Sequence, residues 1–392
     1  MDNLNTFLAL IKRPNEAMVV KPTSLYGLFS SYEDKRKKRG IRYSLALILT
    51  LIVLAGLAGE RGPTAIAEWV RLNCVWLCVA LGLNRQSLPC ANTYRLVCAS
   101  IDATHLAAVL GDFFAQKGPP ALSDKKQEGV KGNKTHLAID GKTLRGTKSE
   151  GGVHGKLHLL SVYDVVSKTV LRQKEVLQRK ENEISVVPIL LEGIDLSGCL
   201  ISADAMHTQR EFCVKLRSAG AHYLLIAKEN QAYLHEDLAR LFEGEWLVEW
   251  DRETAQTTEK GHGRIEVRQI IVTTAMNEYL GARWNGVAQV FRLERKIKRN
   301  GEWNVEVVYG LTSLTKRMAG ARKLLKFVRD HWKIENCLHW RRDVTLGEDA
   351  CGVRQHSVAM VLATLRNVVL KLADRLIAKS TPEIIRQFKV FP

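Results

Sequence analysis

The chain has 392 residues, enough for two or three domains, and its 46% hydrophobic content can fill substantial cores. Lysine and arginine number 58 against 41 acidic residues, a formal net charge of +17. This surplus favours a polyanion partner, most commonly nucleic acid, although a generally basic soluble protein is the alternative. The eight cysteines contain no CxxC pair, so neither a zinc finger nor a disulfide framework is expected.

The positive charge is concentrated at the two ends of the chain. Residues 1–133 carry 17 basic and 10 acidic side chains, a net +7, and residues 314–392 carry 16 and 7, a net +9. The middle, residues 134–313, is almost neutral with 25 basic and 24 acidic side chains. We therefore expect the ends to carry most of the affinity for a polyanion.

Residues 1–115 are predicted to be helical. The apolar run SLALILTLIVLAGLAG at 44–59 is shorter than the roughly 20 residues that span a bilayer, which favours a buried helix over a membrane span. A turn, a cap at Asn92 or Thr93 and a following helix are compatible with a helix-turn-helix, or equally with plain helical packing. The Gly-, Pro- and Lys-rich residues 116–133 predict a linker.

From residue 135 the pattern becomes that of an α/β protein. The segments HLAID, KLHLLSVYDVV and TVLRQKEVL indicate three strands, and EISVVPILLEGI indicates a helix. A buried strand (GCLISADA), a helix (QREFCVKLRSAG) and a strand (HYLLIAK) follow. Residues 229–320 alternate in polarity with Gly and Asn turns and predict a mostly β insertion. Residues 321 to about 345 and most of 354–390 are predicted to be helical again.

Two aspartates, Asp140 and Asp204, close predicted strands, and functional groups gather at strand ends in α/β sheets. Neighbouring carboxylates repel each other unless a cation lies between them, and Mg²⁺ prefers oxygen ligands of this kind. Two such ions would activate an attacking oxygen and stabilise a leaving one in phosphoryl transfer, which requires a third carboxylate. A single strand-end aspartate can also be an ordinary turn cap.

The candidate third carboxylate is Glu335, in the stretch RDHWKIENCLHWRRDVTLGED. Helical spacing places His331, Glu335 and His339 on one face, which either Arg342 or Asp343 extends. An amphipathic helix with a solvated polar face is one alternative. A zinc site of the form His-x3-Glu-x3-His is another, although the order is not HExxH. A face with a carboxylate, histidines and arginines suits a metal together with a phosphate backbone.

Several motifs occur together in one order: AIDGKTLRG, KENEI, ISADAMHTQ, AKENQ, GHGRIEVR, and HWKIENCLHWRRDV followed by GED. With them, residues 135–370 resemble the H-repeat-associated, ISAs-type insertion-sequence transposases of the DDE superfamily. The leading helical region is similar to that family's N-terminal domain. The resemblance implies a ribonuclease-H-like catalytic core in which Asp140, Asp204 and Glu335 form the metal-binding triad. The departures from the family pattern, AKENQ for LKGNQ and LHWRRDV for LHWxLDV, lie outside the triad.

Ten side chains are candidates for DNA contacts. Lys142 and Arg145 follow Asp140 and are expected to meet phosphate, unless they form an ordinary solvated turn. Trp332 or Trp340 could stack on a displaced base, with core packing as the alternative for at least one of them. The full set is Lys142, Arg145, Lys228, His262, Arg264, His331, Trp332, His339, Trp340 and Arg342.

Together these patterns predict an α/β transposase with a ribonuclease-H-like core. Residues 1–115 are expected to recognise the element's ends, 116–133 to form a linker, 134–228 and 321–392 the core, and 229–320 the insertion. A fragment starting near residue 125 is expected to fold, unless the apolar helix at 44–59 packs directly on the core.

The predicted activity is cleavage of double-stranded DNA at the element's ends, followed by joining of the freed 3′-hydroxyl to target DNA. Two Mg²⁺ ions are expected in the site, with Mn²⁺ able to substitute. No secretory signal is apparent at the N-terminus, so a cytoplasmic bacterial protein that acts on the nucleoid is expected, as a homodimer on DNA and without a membrane. A related nuclease that does not join ends, and a DNA-binding derivative without catalysis, are the alternatives.

Overall fold

The computed structural model of the protein describes residues 24–116, 135–147, 156–177, 182–244, 251–261, 263–376 and 380–390. Six helices occupy the first of these stretches. They are α1 (Leu25–Ser31), α2 (Leu45–Leu57), α3 (Pro63–Leu72), α4 (Cys74–Leu81), α5 (Ala91–Ser100) and α6 (Ala103–Gln116).

Helix α2 is the buried apolar helix that the sequence predicts at 44–59. It begins at Ser44, whose side-chain hydroxyl accepts a hydrogen bond from the Leu47 amide at 3.2 Å. Twelve of its 13 residues are buried, as a helix that is apolar on every face requires. The helix therefore has neighbours on all sides and needs no membrane to cover it.

The strands form one nine-stranded mixed sheet in the order β3-β2-β1-β4-β5-β9-β8-β7-β6. Strand β1 pairs antiparallel with β2 and parallel with β4, while β2 pairs antiparallel with β3 and β4 pairs parallel with β5. The strands are β1 (His136–Thr143), β2 (His158–Asp164), β3 (Thr169–Glu175), β4 (Leu200–Ala203), β5 (His222–Ala227), β6 (Glu253–Gly261), β7 (Arg264–Thr273), β8 (Gln289–Arg299) and β9 (Glu302–Thr312).

The predicted insertion is largely β, and it extends the same sheet. Antiparallel pairing of β9 with β5, from Leu224 opposite Thr312 to Ala227 opposite Tyr309, joins the two halves. The described helices between β1 and β9 are α7 (Glu183–Leu191), α8 (Arg210–Ser218), α9 (Ala232–Glu243) and α10 (Asn277–Gly281). The order of three strands, helix, strand, helix and strand predicted from residue 135 is confirmed.

The C-terminal part is helical, but its helix changes type. Helix α11 (Ala321–His331) is followed by two π-helical segments, π1 (Ile334–His339) and π2 (Arg341–Thr345). In π1 the Trp340 amide donates to the carbonyl of Glu335, five residues back. Helices α12 (His356–Ala373) and α13 (Thr381–Val390) complete the chain's described part. π-helical turns are uncommon and often occur at functional sites.

The N-terminal helices share a hydrophobic core with the C-terminal helices. Helix α2 packs on α12 so closely that a Cβ added at Gly56 would lie 2.8 Å from Cγ2 of Val369. On the other side, a Cβ at Gly111 of α6 would lie 2.1 Å from the carbonyl oxygen of Leu171 in β3. The sequence left open whether the apolar helix at 44–59 is separate from the rest of the fold or packs directly on it. The contacts show that it packs directly on it.

Among the described helices, α12 is long and apolar enough to cross a membrane. The number of such candidates rises to three if the bent pairs α3–α4 and α5–α6 are each counted as one span. In the folded chain 72% of the α12 segment is buried inside the protein. Packing against neighbouring helices therefore accounts for its apolar character.

Candidate active site

The parallel pairing of β1 and β4 sets the position of the two aspartates. Ile139 lies opposite Ala203 at the last paired position. Asp140 is the next residue of β1, and Asp204 is the first residue after β4. Ile139 and Ala203 face the core under α7 and α8, so alternation directs the two aspartates to the opposite face. The side chain of Asp140 is partly buried, while that of Asp204 is 58% exposed.

Segment π1 brings Glu335 and His339 to Asp140. Ligand atoms of these three residues all lie within 4.8 Å of one another, and we call them the edge cluster. Asp204 is not part of this group. Nε2 of His339 lies 3.3 Å from Oδ2 of Asp140, and Glu335 is exposed and forms no ion pair with another described residue. The edge cluster offers carboxylate oxygens and an imidazole nitrogen around one point, which is a donor set that a divalent cation fits.

His331 lies beneath the aspartates and is held by the sheet. Its Nδ1 is 2.9 Å from the hydroxyl of Ser202, and the same hydroxyl is 2.7 Å from Nε2 of His136. Burial lowers the pKa of His331, against the opposing effect of Asp140 and Asp204, and burial lowers the pKa of His136 to about 3. Both rings are therefore neutral near pH 7, and His331 anchors the end of α11 to β4.

A second polar cluster lies on the other face of β1, around Glu183 at the start of α7. The Glu183 carboxylate accepts hydrogen bonds from Nε2 of His158 at 2.7 Å and from Nε2 of His207 at 3.0 Å. Burial alone would raise the pKa of Glu183, but these two histidines lower it to about 2. A Cβ at Gly141 would lie 2.3 Å from Oε1 of Glu183, so the cluster requires glycine next to Asp140. Glu183 lies in the KENEI motif, but its pairing with two histidines could not be predicted, because they are 24 and 25 residues away in sequence.

Lys142 is paired inside the protein instead of facing a DNA backbone. Only 7% of its side chain is exposed, and its Nζ lies 2.5 Å from Oδ1 of Asp343 and 3.7 Å from Oδ1 of Asp349. The prediction that Lys142 contacts phosphate does not fit this position, because its charge is already balanced and covered. His339 is also buried, so the prediction of a DNA contact does not fit it either.

Arg342 is fully buried, so the prediction that it contacts DNA does not fit its position either. It donates to both oxygens of Glu348 at 2.8 and 3.0 Å, and Arg366 donates to the same carboxylate at 3.1 Å. We call Arg342, Glu348 and Arg366 the buried network. Burial alone would raise the pKa of Glu348, but the two guanidinium groups hold it below its ordinary value. Arg366 also donates to the carbonyl of Arg61 at 2.6 Å, which ties the network to the N-terminal helices.

The remaining candidates are accessible to different degrees. Arg145 is 80% exposed, and Trp332 and Trp340 each expose about half of their surface. Lys228 is exposed beside Asp204, with 3.9 Å between its Nζ and Oδ1. Arg264 is partly covered by an ion pair with Glu266 at 3.3 Å. His262 lies outside the described residues.

A basic cleft was not apparent from the sequence. It has a volume of about 570 Å³ and lies between the start of α3 and the loop before α12. Three exposed arginines, Arg61, Arg95 and Arg354, contribute to its lining. Gly146 lies against the carbonyl of Cys351 in the cleft wall, so the cleft adjoins Arg145. These arginines are up to 293 residues apart in sequence (354 minus 61), and only the tertiary fold assembles them.

A mixed α/β sheet with carboxylates at one strand edge, exposed tryptophans beside them and an arginine cleft nearby offers groups suited to a divalent cation and a phosphate backbone. The family comparison agrees. Residues 131–372 match the model described as Transposase DDE domain, and residues 26–114 match the model of the domain associated with it. The chain therefore belongs to the DDE transposase family, as its motifs indicated.

Curated relatives match over most of the chain. It is 29% identical to a putative transposase YncI of Escherichia coli O157:H7 over 89% of this chain and 87% of that one. It is 31% identical to the H repeat-associated putative transposase YhhI of Escherichia coli strain K12, over 86% and 87%. A solved structure, the piggyBac transposase synaptic complex with hairpin DNA, matches 93% of this chain and 78% of its own at 11% identity, with a TM-score of 0.44.

Proposed function

We propose that the protein is a DDE transposase that binds the ends of its own insertion sequence, hydrolyses a DNA strand there and joins the freed 3′-hydroxyl to target DNA. The observation that carries the proposal is the placement of Asp140 and Asp204 side by side at the end of a parallel strand pair, with Glu335 brought to Asp140 by π1. Membership of the transposase family supports the same reaction.

We assign the strands β1 to β5 to a ribonuclease-H-like core. Their order β3-β2-β1-β4-β5, with β1 antiparallel to β2 and parallel to β4, supports this assignment. In this scheme β6 to β9 are the insertion between β5 and the helix that carries Glu335. Residues 26–114, which match the associated domain, recognise the element's ends.

Asp140, Asp204 and Glu335 are the proposed holders of divalent metal, with Mg²⁺ as the natural ion and Mn²⁺ as a substitute. Their oxygens are accessible, and neither Asp140 nor Glu335 is paired with a lysine or arginine of the described chain, so a cation can be accommodated. Two divalent ions held there would supply an activated water and would stabilise the leaving 3′-oxygen. The chain's own part is to hold these carboxylates rigidly, through the β1–β4 register and through the π1 segment that carries Glu335.

Exposed cations and aromatic rings around the edge are the proposed DNA contacts. Arg145 and Lys228 are exposed and can approach phosphate, although each also lies near a carboxylate, Asp349 and Asp204 respectively. Trp332 and Trp340 offer faces on which an unpaired base could stack. The arginine cleft continues this path toward the N-terminal helices. We propose double-stranded DNA as the partner, a homodimer as the active form on DNA, and a cytoplasmic protein independent of membranes.

The decisive experiment uses a duplex that contains the DNA flanking this gene, incubated with the full-length protein and Mg²⁺. We expect strand cleavage and, with target DNA added, joined products. Asp140→Asn, Asp204→Asn and Glu335→Gln should each abolish cleavage while leaving end binding nearly intact, because each removes a ligand charge without changing volume. Glu302→Gln, an exposed carboxylate on the insertion, is the matched control and should cleave normally.

The outcomes separate the proposal from its alternatives. Cleavage without joining would identify a nuclease, and binding without cleavage would identify a DNA-binding derivative that has lost catalysis. Cleavage at the wild-type rate in any one of the three variants would remove that residue from the site.

A further inference from the structure

We propose that His339 is a direct nitrogen ligand of the metal held at the edge cluster, together with Asp140 and Glu335. The inference rests on the proposed metal site, but it names a ligand beyond the three carboxylates. A site of this composition binds divalent metal through mixed oxygen and nitrogen donors instead of through oxygens alone.

The first observation is geometric. The ligand atoms of Asp140, Glu335 and His339 all lie within 4.8 Å of one another, so one cation can touch all three. Nε2 of His339 points at Oδ2 of Asp140 from 3.3 Å. The π1 segment holds Glu335 and His339 in this position, since its wide turns are closed by the bond from the Trp340 amide to the Glu335 carbonyl.

The second observation is the burial of His339, whose Nε2 approaches Asp140 without a hydrogen bond. His339 is 2% exposed, yet neither of its ring nitrogens makes a hydrogen bond to any described residue. A buried polar group left without a partner is costly, so such groups normally have one. A cation bound between Asp140 and Glu335 provides that partner to Nε2. By contrast, the neighbouring His331 is hydrogen-bonded to Ser202 and needs no metal.

The donor chemistry predicts a change in metal preference. Carboxylate and water ligands suit Mg²⁺ and Mn²⁺, whereas an imidazole ligand favours later transition metals such as Co²⁺ and Zn²⁺. A cluster with His339 should therefore bind Mn²⁺ and Co²⁺ more tightly than Mg²⁺. Replacing the imidazole by an amide should reduce that preference.

The test is spectroscopic and needs no activity. The full-length protein is titrated with Mn²⁺ alone at up to millimolar concentration, and electron spin echo modulation of the bound ion is recorded. We expect modulation from a directly bound ¹⁴N in the wild-type protein. His339→Gln should lose this signal and weaken Mn²⁺ binding by about tenfold or more, since loss of even an outer partner of a metal ligand typically has that effect.

His331→Gln is the matched control, because His331 is a neighbouring histidine that is already hydrogen-bonded, and it should keep the nitrogen signal. Bound Mn²⁺ without nitrogen coupling in the wild-type protein would overturn the inference, whether or not any variant folds. A nitrogen signal that survives in His339→Gln, or that disappears only in His331→Gln, would also overturn it, as would the absence of bound Mn²⁺. If the three carboxylate variants still abolish cleavage in those cases, the proposed function stands without His339 as a ligand.

Discussion

The edge cluster and the buried network are two groups of charges that meet along one helical stretch, with Glu335 and His339 in π1 and Arg342 in π2. The two groups differ in how their charges are satisfied. In the buried network, Glu348 accepts three hydrogen bonds from two arginines and is shielded from solvent. In the edge cluster, the carboxylate of Glu335 is exposed and has no cation among the described residues. Asp140 accepts a hydrogen bond from the Gly141 amide and lies near His339, but it has no lysine or arginine partner within the described chain.

The difference shows that the number of charges in a helix does not reveal their role. Buried charges are expensive to desolvate and persist only when they are paired, so the buried network is part of the structure. Carboxylates gathered at a solvent-accessible edge without a cation have no such structural explanation, and they are suited to bind one. Glu335 and Arg342 are only seven residues apart, yet Glu335 is exposed without a cation partner among the described residues and Arg342 is buried and paired.

The largest expected effect on folding comes from removing the N-terminal helices, which contact the buried network. This deletion leaves every residue of the edge cluster in place. A fragment that starts near residue 125 loses Arg61, whose carbonyl binds Arg366, and uncovers the apolar face of α12. We expect this fragment to aggregate or to lose its cooperative fold, as measured by circular dichroism and light scattering. A soluble, cooperatively folded fragment would mean that the shared core is dispensable and would restore the predicted boundary at 116–133.

The next effect concerns the central carboxylate of the buried network. Glu348→Gln should lower the free energy of unfolding by roughly 3–5 kcal/mol, because it leaves two buried guanidinium groups without their counter-charge. Denaturant unfolding measures this change. The matched variant Glu335→Gln, in the edge cluster, should change stability by no more than about 0.5 kcal/mol. Equal destabilisation by the two variants would remove the distinction between the clusters.

A smaller effect should appear as a pH dependence from Glu183. The folded-state pKa of Glu183, about 2, lies below its ordinary value of 4.5. The stabilisation is therefore present above pH 4.5 and is lost as the pH falls toward 2. Its size is on the order of 2–3 kcal/mol. Unfolding of Glu183→Gln between pH 6 and pH 3 should lack this part of the slope, whereas Glu302→Gln should keep it. Identical slopes in wild type and Glu183→Gln would contradict the assignment.

The smallest effect concerns the exposed arginines of the cleft, which resemble the edge cluster in lacking partners. Arg95 and Arg354 form no ion pair within the described chain. Arg354→Ala should weaken DNA binding similarly for all sequences and reduce the slope of log affinity against log salt by about 0.9. Gel shifts at several salt concentrations measure this. Arg240→Ala removes an exposed arginine that is paired with Glu236, and it should leave the slope unchanged. An unaltered slope in Arg354→Ala would place the DNA elsewhere.

The local patterns of the sequence were sufficient to predict the order of strands and helices along the chain from residue 135 to Ala227. They were also sufficient to predict the buried helix at 44–59. They also predicted a strand leading into each of Asp140 and Asp204, because alternation and the length of apolar runs depend on neighbouring residues alone. Asp204 directly follows β4 as predicted, but Asp140 does not end its strand, since β1 continues to Thr143 in its pairing with β2. The family motifs added the transposase assignment. The triad and the division into domains remain predictions that the proposed experiments test.

Pairings between distant residues could not be predicted in this way, because charge and burial depend on what the fold brings nearby. Lys142 and Arg342 resemble free cations in the sequence, but Asp343 and Glu348 respectively balance and cover them. The α-helical spacing assumed for Glu335 and His339 is in fact π-helical. Only the tertiary structure decided these points. It alone determined which charges are paired and buried, and it left the carboxylates at the sheet's edge accessible to a cation.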